Sequence, residues 1–398
     1  MRIGILTFHR SLNNGAFIQC YSLFKRLKNE FPDAEVEVID YTSPQIEKLY
    51  PISIAQYFRG YMQPRAFLSR AKRFIKDPKV ISRNKEKKVA FESCYNQIKL
   101  SDRRFYYEPL QELYSYINSS YDVVVCGSDA IWNYSLRGFP NPYFLDNSIT
   151  IPKFSYAASC FGMNYEKIPE SESITIKQIL DSYQFLGVRD DESAKFLKAI
   201  GCMKAYSHTC DPTVFLDVND LPINEKRLQN KLVAYGFSIN RKTIGIMGTN
   251  QMCQLVKLMY GDEYQVVSLF NYCKDADVNL YNITPFEWAY VYRFFKITIT
   301  SYFHGTLLSL RNGVPVICIA LEDEFTSKHE SKVEDFLKRI GLIDCYFHLR
   351  EFEKKTEIMR QKIEVIMEKY TKNSINCRMD EEAKTSVAFM NEIATIIA

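Results

Sequence analysis

Apolar residues in this chain fall into short unbroken runs, separated by polar turns and by stretches with helical spacing. Residues 3–8 form such a run, and the Asn13-Asn14-Gly15 turn after it opens a helix over 15–28. Residues 36–40 read as the next strand, stopped by Tyr41-Thr42-Ser43-Pro44. Runs at 122–126, 154–158, 185–188 and 206–210 continue the series, with a helix over 190–200 closed by Gly201. Unbroken apolar runs mark strands buried on both faces, and their alternation with helices gives a parallel sheet covered on both sides. After a connecting segment at 216–231 the plan repeats. Its strands are 232–235, 265–268, 297–300 and 316–319, and its helices are 285–294, 305–310 and 331–340. The tail, about 352–369 and 380–398, reads as helical only. The expected class is α/β. A Rossmann-like domain over 1–215 carries an insertion at about 50–115, and a second one spans 216–375. A C-terminal helix at 376–398 is expected to return to the first.

Composition adjusts this picture in three places. At 398 residues, 46% hydrophobic and 25% charged, the chain has the make-up of a soluble globular protein of two ordinary domains. The first residues enter a strand directly, and their apolar run is too short for the core of a secretory signal. The longest apolar stretch, 314–321, is far below a membrane span. Eleven cysteines without any C-x-x-C spacing argue against a zinc site or a disulfide framework. Free thiols of that kind fit a reducing cytoplasm. Charge is the third: the net +4 conceals a segment, 59–88, with eleven Lys/Arg against Asp77 and Glu86. Phe58, Tyr61, Met62, Phe67, Leu68, Ala71, Phe74 and Ile75 recur through it at roughly helical spacing. Such a segment either lies on an anionic membrane surface or packs on the domain by its apolar stripe. Nucleic acid is disfavoured, because neither a recognition motif nor a strongly basic domain accompanies it.

Candidate chemistry sits in the turns after strands. Thr300-Ser301-Tyr302-Phe303-His304-Gly305-Thr306 joins a β-branched run to a helix start. Unpartnered N–H groups and the helix dipole there favour an anion, and His304 adds a titratable group. The plainer reading makes Ser301 a helix cap and His304 a satisfied polar residue. Gly127-Ser128-Asp129 follows a strand and leads to Trp132-Asn133. Ser128 and Asp129 can cap the next helix or engage hydroxyls, and Trp132 can stack on a sugar. Arg189 ends another strand, suited to a bidentate grip on carboxylate or phosphate, or to an ion pair with Asp190 or Asp191. The first loop lacks G-x-G-x-x-G, which disfavours a dinucleotide.

In this order the motifs resemble the polysaccharide pyruvyl transferases. They are Asn14-Gly15 with Gln19, Gly127-Ser128-Asp129 with Trp132-Asn133, and Ser155-Tyr156-Ala157-Ala158-Ser159 with Gly162. Val188-Arg189-Asp190 with Ser193, Asp211-Pro212-Thr213, Thr300-Ser301 with Phe303-His304-Gly305, Gly313-Val314-Pro315-Val316 and Lys332 complete the series. Tyr302 stands where many relatives carry arginine, and Asn13 where an aromatic is frequent. The basic insertion matches no family motif.

The resemblance implies a GT-B-like arrangement and transfer of a pyruvyl group from phosphoenolpyruvate, a co-substrate, to sugar hydroxyls as a cyclic ketal. It implies no cofactor, metal or covalent enzyme intermediate. Ser301, His304, Gly305, Thr306, Arg189 and Lys332 would bind the donor. His304 would act as general acid or as phosphate clamp, and Asp129 as base. Asn14, Gly15, Ser128 and Trp132 would shape the acceptor side. A lipid-linked saccharide acceptor would place the protein at the cytoplasmic membrane face, through residues 59–88. The alternatives are a GT-B glycosyltransferase using a nucleotide-sugar and a non-catalytic glycan-binding relative.

Overall fold

The computed structural model describes residues 1–398 except 43–48, 61–62, 107–108, 322–330, 355 and 398. Two parallel sheets organise it. The first comprises β1 (Arg2–Leu6), β2 (Glu35–Thr42), β3 (Leu100–Tyr106), β4 (Val123–Asp129), β5 (Lys153–Ala158), β6 (Phe185–Val188) and β7 (Tyr206–His208), in the order 3-2-1-4-5-6-7. The second comprises β8 (Thr243–Met247), β9 (Gln265–Ser268), β10 (Val278–Asn279), β11 (Ile297–Thr300), β12 (Val316–Ala320) and β13 (Tyr346–His348), in the order 10-9-8-11-12-13. Counted from its own first strand, each sheet begins 3-2-1-4-5-6, the doubly wound order. It reverses between β1 and β4 in the first sheet and between β8 and β11 in the second. Ligands of such sheets bind outside the carboxyl ends of the strands at those reversals.

Several expected elements are placed differently. Residues 232–235, read as a strand, finish the Glu225–Ala234 helix, which Asn224 caps. Leu228 and Leu232, four residues apart, are buried, whereas Val233 is exposed. The run is one helical stripe closed by Gly236 at φ +86°. The true first strand is β8, whose pattern is broken by Gly245. A Cβ there would lie 2.6 Å from Phe295 Cδ2, so the strand needs glycine under that ring. The irregular part of the connection therefore shortens to 216–224. Among the described residues, the insertion holds the helices Ile54–Phe58, Pro64–Lys76 and Val80–Glu92, and β3 adds an edge strand beside β2. That strand buries only Ser101 and Phe105 and carries Asp102, Arg103 and Arg104 between them, which hides it from a search for apolar runs. β10 and β13 are too short to leave a pattern.

The sheets meet across an apolar seam. Phe17 and Tyr21, on the Asn14–Glu30 helix, set their rings edge-on to Phe286 of the second half at 5.5 and 4.8 Å. The chain then crosses back. After the Lys372–Ala383 helix, the last helix, Val387–Ile397, lies on the first sheet. Phe389 contacts Tyr156, Phe185 and Phe154 edge-on at 4.6, 5.6 and 6.0 Å, and the Tyr156 hydroxyl lies 2.6 Å from Ser386 Oγ. Among the described residues no helix is long and apolar enough to cross a membrane. Phe389→Ala is expected to cost about 3–5 kcal/mol, as for other buried phenylalanines. The check is a lower midpoint of urea unfolding.

Candidate active site

The carboxyl ends of β4, β6 and β7 converge on one buried guanidinium. Arg189, 1% exposed, follows β6 directly. Its Nη1 donates to Asp211 Oδ2 at 3.0 Å and its Nη2 to Asp129 Oδ1 at 3.4 Å, while Nε stands 3.8 Å from Asp190 Oδ2. Each carboxylate is fixed by its own turn. Asp190 caps the Asp191–Ala199 helix through Ser193 N and receives hydrogen bonds from Ser193 Oγ and Ser159 Oγ at 2.6 and 2.5 Å. Asp211 caps the Pro212–Phe215 turn by accepting from Thr213 N. Asp129 ends β4 with φ +77°, a conformation a non-glycine residue holds only when its surroundings impose it. Here its carbonyl accepts from Ile131 N and Ser159 N at 2.7 and 2.9 Å. Gly127, two residues earlier, admits the backbone of β5: a Cβ would fall 1.9 Å from Tyr156 O.

The second sheet supplies the opposite wall. Its Phe303–Arg311 helix follows Tyr302, which makes no side-chain cap for the first N–H groups. His304 stands in that first turn. Its Nε2 is 3.3 Å from Gln19 Oε1 and 3.8 Å from Asp211 Oδ2, and its ring lies flat on Gly15. A Cβ on Gly15 would come within 2.4 Å of His304 Cγ and Nδ1. Phe303 sits under Arg189, with 4.8 Å from the guanidinium carbon to the ring centre. The Lys332 ammonium lies 5.2 Å from the Phe161 ring centre and 5.7 Å from that of Phe303.

The charges are coupled. Burial alone would raise the Asp129 carboxyl, but Lys332, Arg189 and His304 outweigh it and hold the group well below the usual carboxylate range. Burial lowers His304 and Lys332, although Asp211 and Asp129 pull the imidazole back and Asp129 the ammonium. Burial thus favours the neutral form of the His304 imidazole. Donation from Nε2 to Gln19 leaves Nδ1 as a lone pair. Buried polar atoms without a protein partner gather nearby: Thr7 Oγ1, Asn14 Oδ1, Gln19 Nε2, Ser128 Oγ and Arg189 Nε. Such atoms call for water or ligand.

Three expected contacts are redirected. The Arg189 fork, expected to grip a ligand, is filled by Asp129 and Asp211; the anticipated pairing with Asp190 is the longest of its three contacts. Trp132, expected to stack on a sugar, is 0% exposed and parallel to Phe144 at 6.3 Å, so its face is already covered. Thr306 turns its hydroxyl to Tyr302 O and Cys318 Sγ, and Gly305 packs on Thr300 and Met247; both serve helix–strand contact rather than the cleft. Ser301 is partly exposed, but the helix begins two residues after it, with Tyr302 in the cap position. Asn14 is buried in the first helical turn, where Asn13 is the cap.

Sequence reasoning passed over two groups. One is the His9, Arg10 and Asp40 cluster: His9 Nε2 lies 3.1 Å from Asp40 Oδ1, and Arg10 grips both carboxylate oxygens at 2.7 and 2.5 Å. The other lies on the insertion. Tyr50 is hydrogen-bonded to Ser11 and close enough to Asp129 and Tyr302 to feel their charge, and Lys87 is beside it. Between the insertion and the ends of β2 and β3 is a cavity of ≈160 Å³, lined by Arg10, Tyr50, Gln56, Lys88, Tyr95 and Arg104 among others. Nothing in residue spacing announces this group.

The same architecture recurs in solved structures. S. aureus MnaA in a co-structure with UDP is similar at 11% identity and TM-score 0.54, covering 98% of this chain and 95% of that one. UDP-GlcNAc 2-epimerase from Neisseria meningitidis, bound to UDP-GlcNAc, is similar at 14% identity and TM-score 0.53, covering 98% and 100%. At such identities the likeness is one of fold: two Rossmann-like halves in a GT-B-like arrangement. A search of the curated proteins finds no match. The family model described as polysaccharide pyruvyl transferase matches residues 13–323, a span that holds Gly15, Asp129, Arg189, Asp211 and His304. This chain therefore belongs to the polysaccharide pyruvyl transferase family.

Proposed function

We propose that the protein transfers a pyruvyl group from phosphoenolpyruvate to two hydroxyls of a saccharide, closing a cyclic ketal on a cell-surface polysaccharide or its lipid-linked precursor. The observation that carries this reading is one cleft holding an ionised carboxylate, Asp129, and a neutral imidazole, His304, beside an open helix N-terminus. The reaction needs one proton delivered and two removed. The donor's negative charge raises His304, which then protonates the methylene carbon and builds cationic character on the adjacent one. A sugar hydroxyl adds there and gives its proton to Asp129. The C–O bond to phosphate breaks, phosphate departs toward the helix N-terminus and Lys332, and a second hydroxyl closes the ring, its proton passing to the departing phosphate. Arg189 acts through Asp129 and Asp211, holding the base ionised and in place. The Pro64–Lys76 helix exposes Leu68 and Ile75 among Arg65, Lys72 and Arg73, which supports a seat on an anionic membrane where a lipid-linked acceptor would be presented.

Three outcomes are expected. With phosphoenolpyruvate and a saccharide panel, His304→Ala should lose at least about a hundredfold in phosphate release and ketal formation, the scale of a lost acid–base group. Gly15→Ala, which keeps the histidine but displaces its ring, should fail as well; near-normal turnover in either variant removes His304 from the reaction. A response to UDP-sugars alone would favour the nucleotide-sugar reading instead.

Arg189→Lys should lower the melting temperature together with activity, because a single ammonium does not hold Asp129 and Asp211 at once. An unchanged melting temperature with lost activity would place Arg189 on the ligand. In flotation with anionic liposomes the protein should rise with the vesicles and be released by salt. Absence of salt-sensitive binding sinks the membrane seat.

A further inference from the structure

Among the described residues, the cations that meet the central carboxylates are matched by them. Arg189 and Lys332 face the carboxylates of Asp129, Asp190 and Asp211, and His304 is neutral. A phosphorylated substrate brings further negative charge into that space, so a cation has to come from elsewhere. One candidate is on the Val80–Glu92 helix of the insertion, against Phe270, whose ring packs on Tyr302 at the start of the His304 helix.

Lys87 is 9% exposed. Its ammonium lies 4.7 Å from the ring centre of Phe270 and 5.9 Å from those of Tyr50 and Phe91. Neighbouring cations of the same helix are paired, Arg83 with Asp77 and Lys88 with Glu92. Among the described residues no carboxylate or other acceptor takes a bond from Lys87, and burial alone lowers its ammonium to about 8. Three aromatic faces offset part of that desolvation, but they leave three N–H donors unfilled. Buried lysines are rarely left so unless something else completes them.

The ammonium is also aimed and held. Phe270 packs on Tyr302 at 5.2 Å, and Tyr302 begins the helix that carries His304. The Tyr50 ring shared with Lys87 also lines the cavity between the insertion and the ends of β2 and β3. The helix is tied to both halves. Phe91 meets Phe17 at 6.0 Å on one side, while Glu86 accepts from Asn282 at 3.0 Å and Arg83 lies over Tyr272 and Tyr281 on the other. Lys87 is therefore fixed beside the site rather than swept through solvent.

We propose that Lys87 binds a phosphate group of a substrate held in the cleft, so that the insertion completes the site with the cation its centre lacks. The identity of that substrate rests on the pyruvyl-transfer reading; the phosphate site does not. The phosphate belongs either to the enolpyruvate donor or to a glycosyl phosphate on the acceptor side, toward the cavity beside Tyr50.

Lys87→Met keeps the stem that packs among the rings and removes only the charge. Melting temperatures are measured for the intact wild-type chain and this variant, with phosphoenolpyruvate, glucose 1-phosphate and inorganic phosphate in turn. A ligand bound by the native state alone raises the midpoint. The unliganded variant should melt at or above the wild-type temperature, and the shift produced by the phosphate compound should vanish. Loss with phosphoenolpyruvate assigns the donor phosphate, and loss with glucose 1-phosphate alone assigns the acceptor phosphate. A charge-assisted bond of this kind corresponds to roughly ten- to a hundredfold in affinity, so KM for that substrate should rise by that factor, with partial recovery in Lys87→Arg. Equal shifts in both proteins, or no shift in the wild type with any of the three, overturns the proposal. A lost shift without pyruvyl transfer in the wild type upholds the phosphate site and sinks the reaction. Unchanged KM in an active Lys87→Met enzyme does the reverse.

Discussion

A guanidinium sealed from water must be matched by carboxylates, and the site is arranged around that requirement. Desolvating Arg189 is expensive unless its charge is met at short range. The carboxylates that meet it come from three separate strand ends. To bring them together, β4 ends in a left-handed aspartate, the helix after β6 begins on Asp190, and the segment after β7 turns at Asp211-Pro212. Ser159 and Ser193 saturate Asp190, so these small hydroxyl residues are support for a charge and not additional ligands. The same balance keeps Asp129 ionised and leaves His304 uncharged. Without the arginine, three buried carboxylates would repel one another at the bottom of the cleft.

Each sheet contributes half of the arrangement at the carboxyl ends of its strands. The first supplies the carboxylates and the arginine; the second supplies the imidazole and an uncapped helix start. They touch where His304 rests on Gly15, and any side chain there would fill the space the ring occupies. A glycine in a helix ordinarily weakens it. At this position that loss is exchanged for the closest approach between the two halves.

The parallel strands were legible because burial on both faces leaves unbroken apolar runs, and the site's sequence neighbourhoods were legible because strand ends are where such sheets bind. What escaped had physical causes. Gly245 interrupts β8 because Phe295 sits over it, while the helical stripe ending in Leu232 imitates a strand. Trp132 is apolar enough to enter the core, and the sequence does not say whether a tryptophan beside a polar loop faces inward or outward. Arg189 was visible as a cation at a strand end, but its partners lie 60 and 22 residues away, out of range of local pattern. Lys87 was one of eleven basic residues in its segment; only the fold separates the one turned inward from those in solvent.

The chain passes between the two halves twice, through 216–224 and again through Lys384–Ser386, where Cys210 N donates to Thr385 Oγ1 and the Tyr156 hydroxyl lies 2.6 Å from Ser386 Oγ. A single tether would act as a swivel. Paired tethers resist torsion and leave bending as the easy deformation, about the line that passes through both. For a site whose imidazole and carboxylate belong to different halves, that mechanical restriction is what allows chemistry to be split between them.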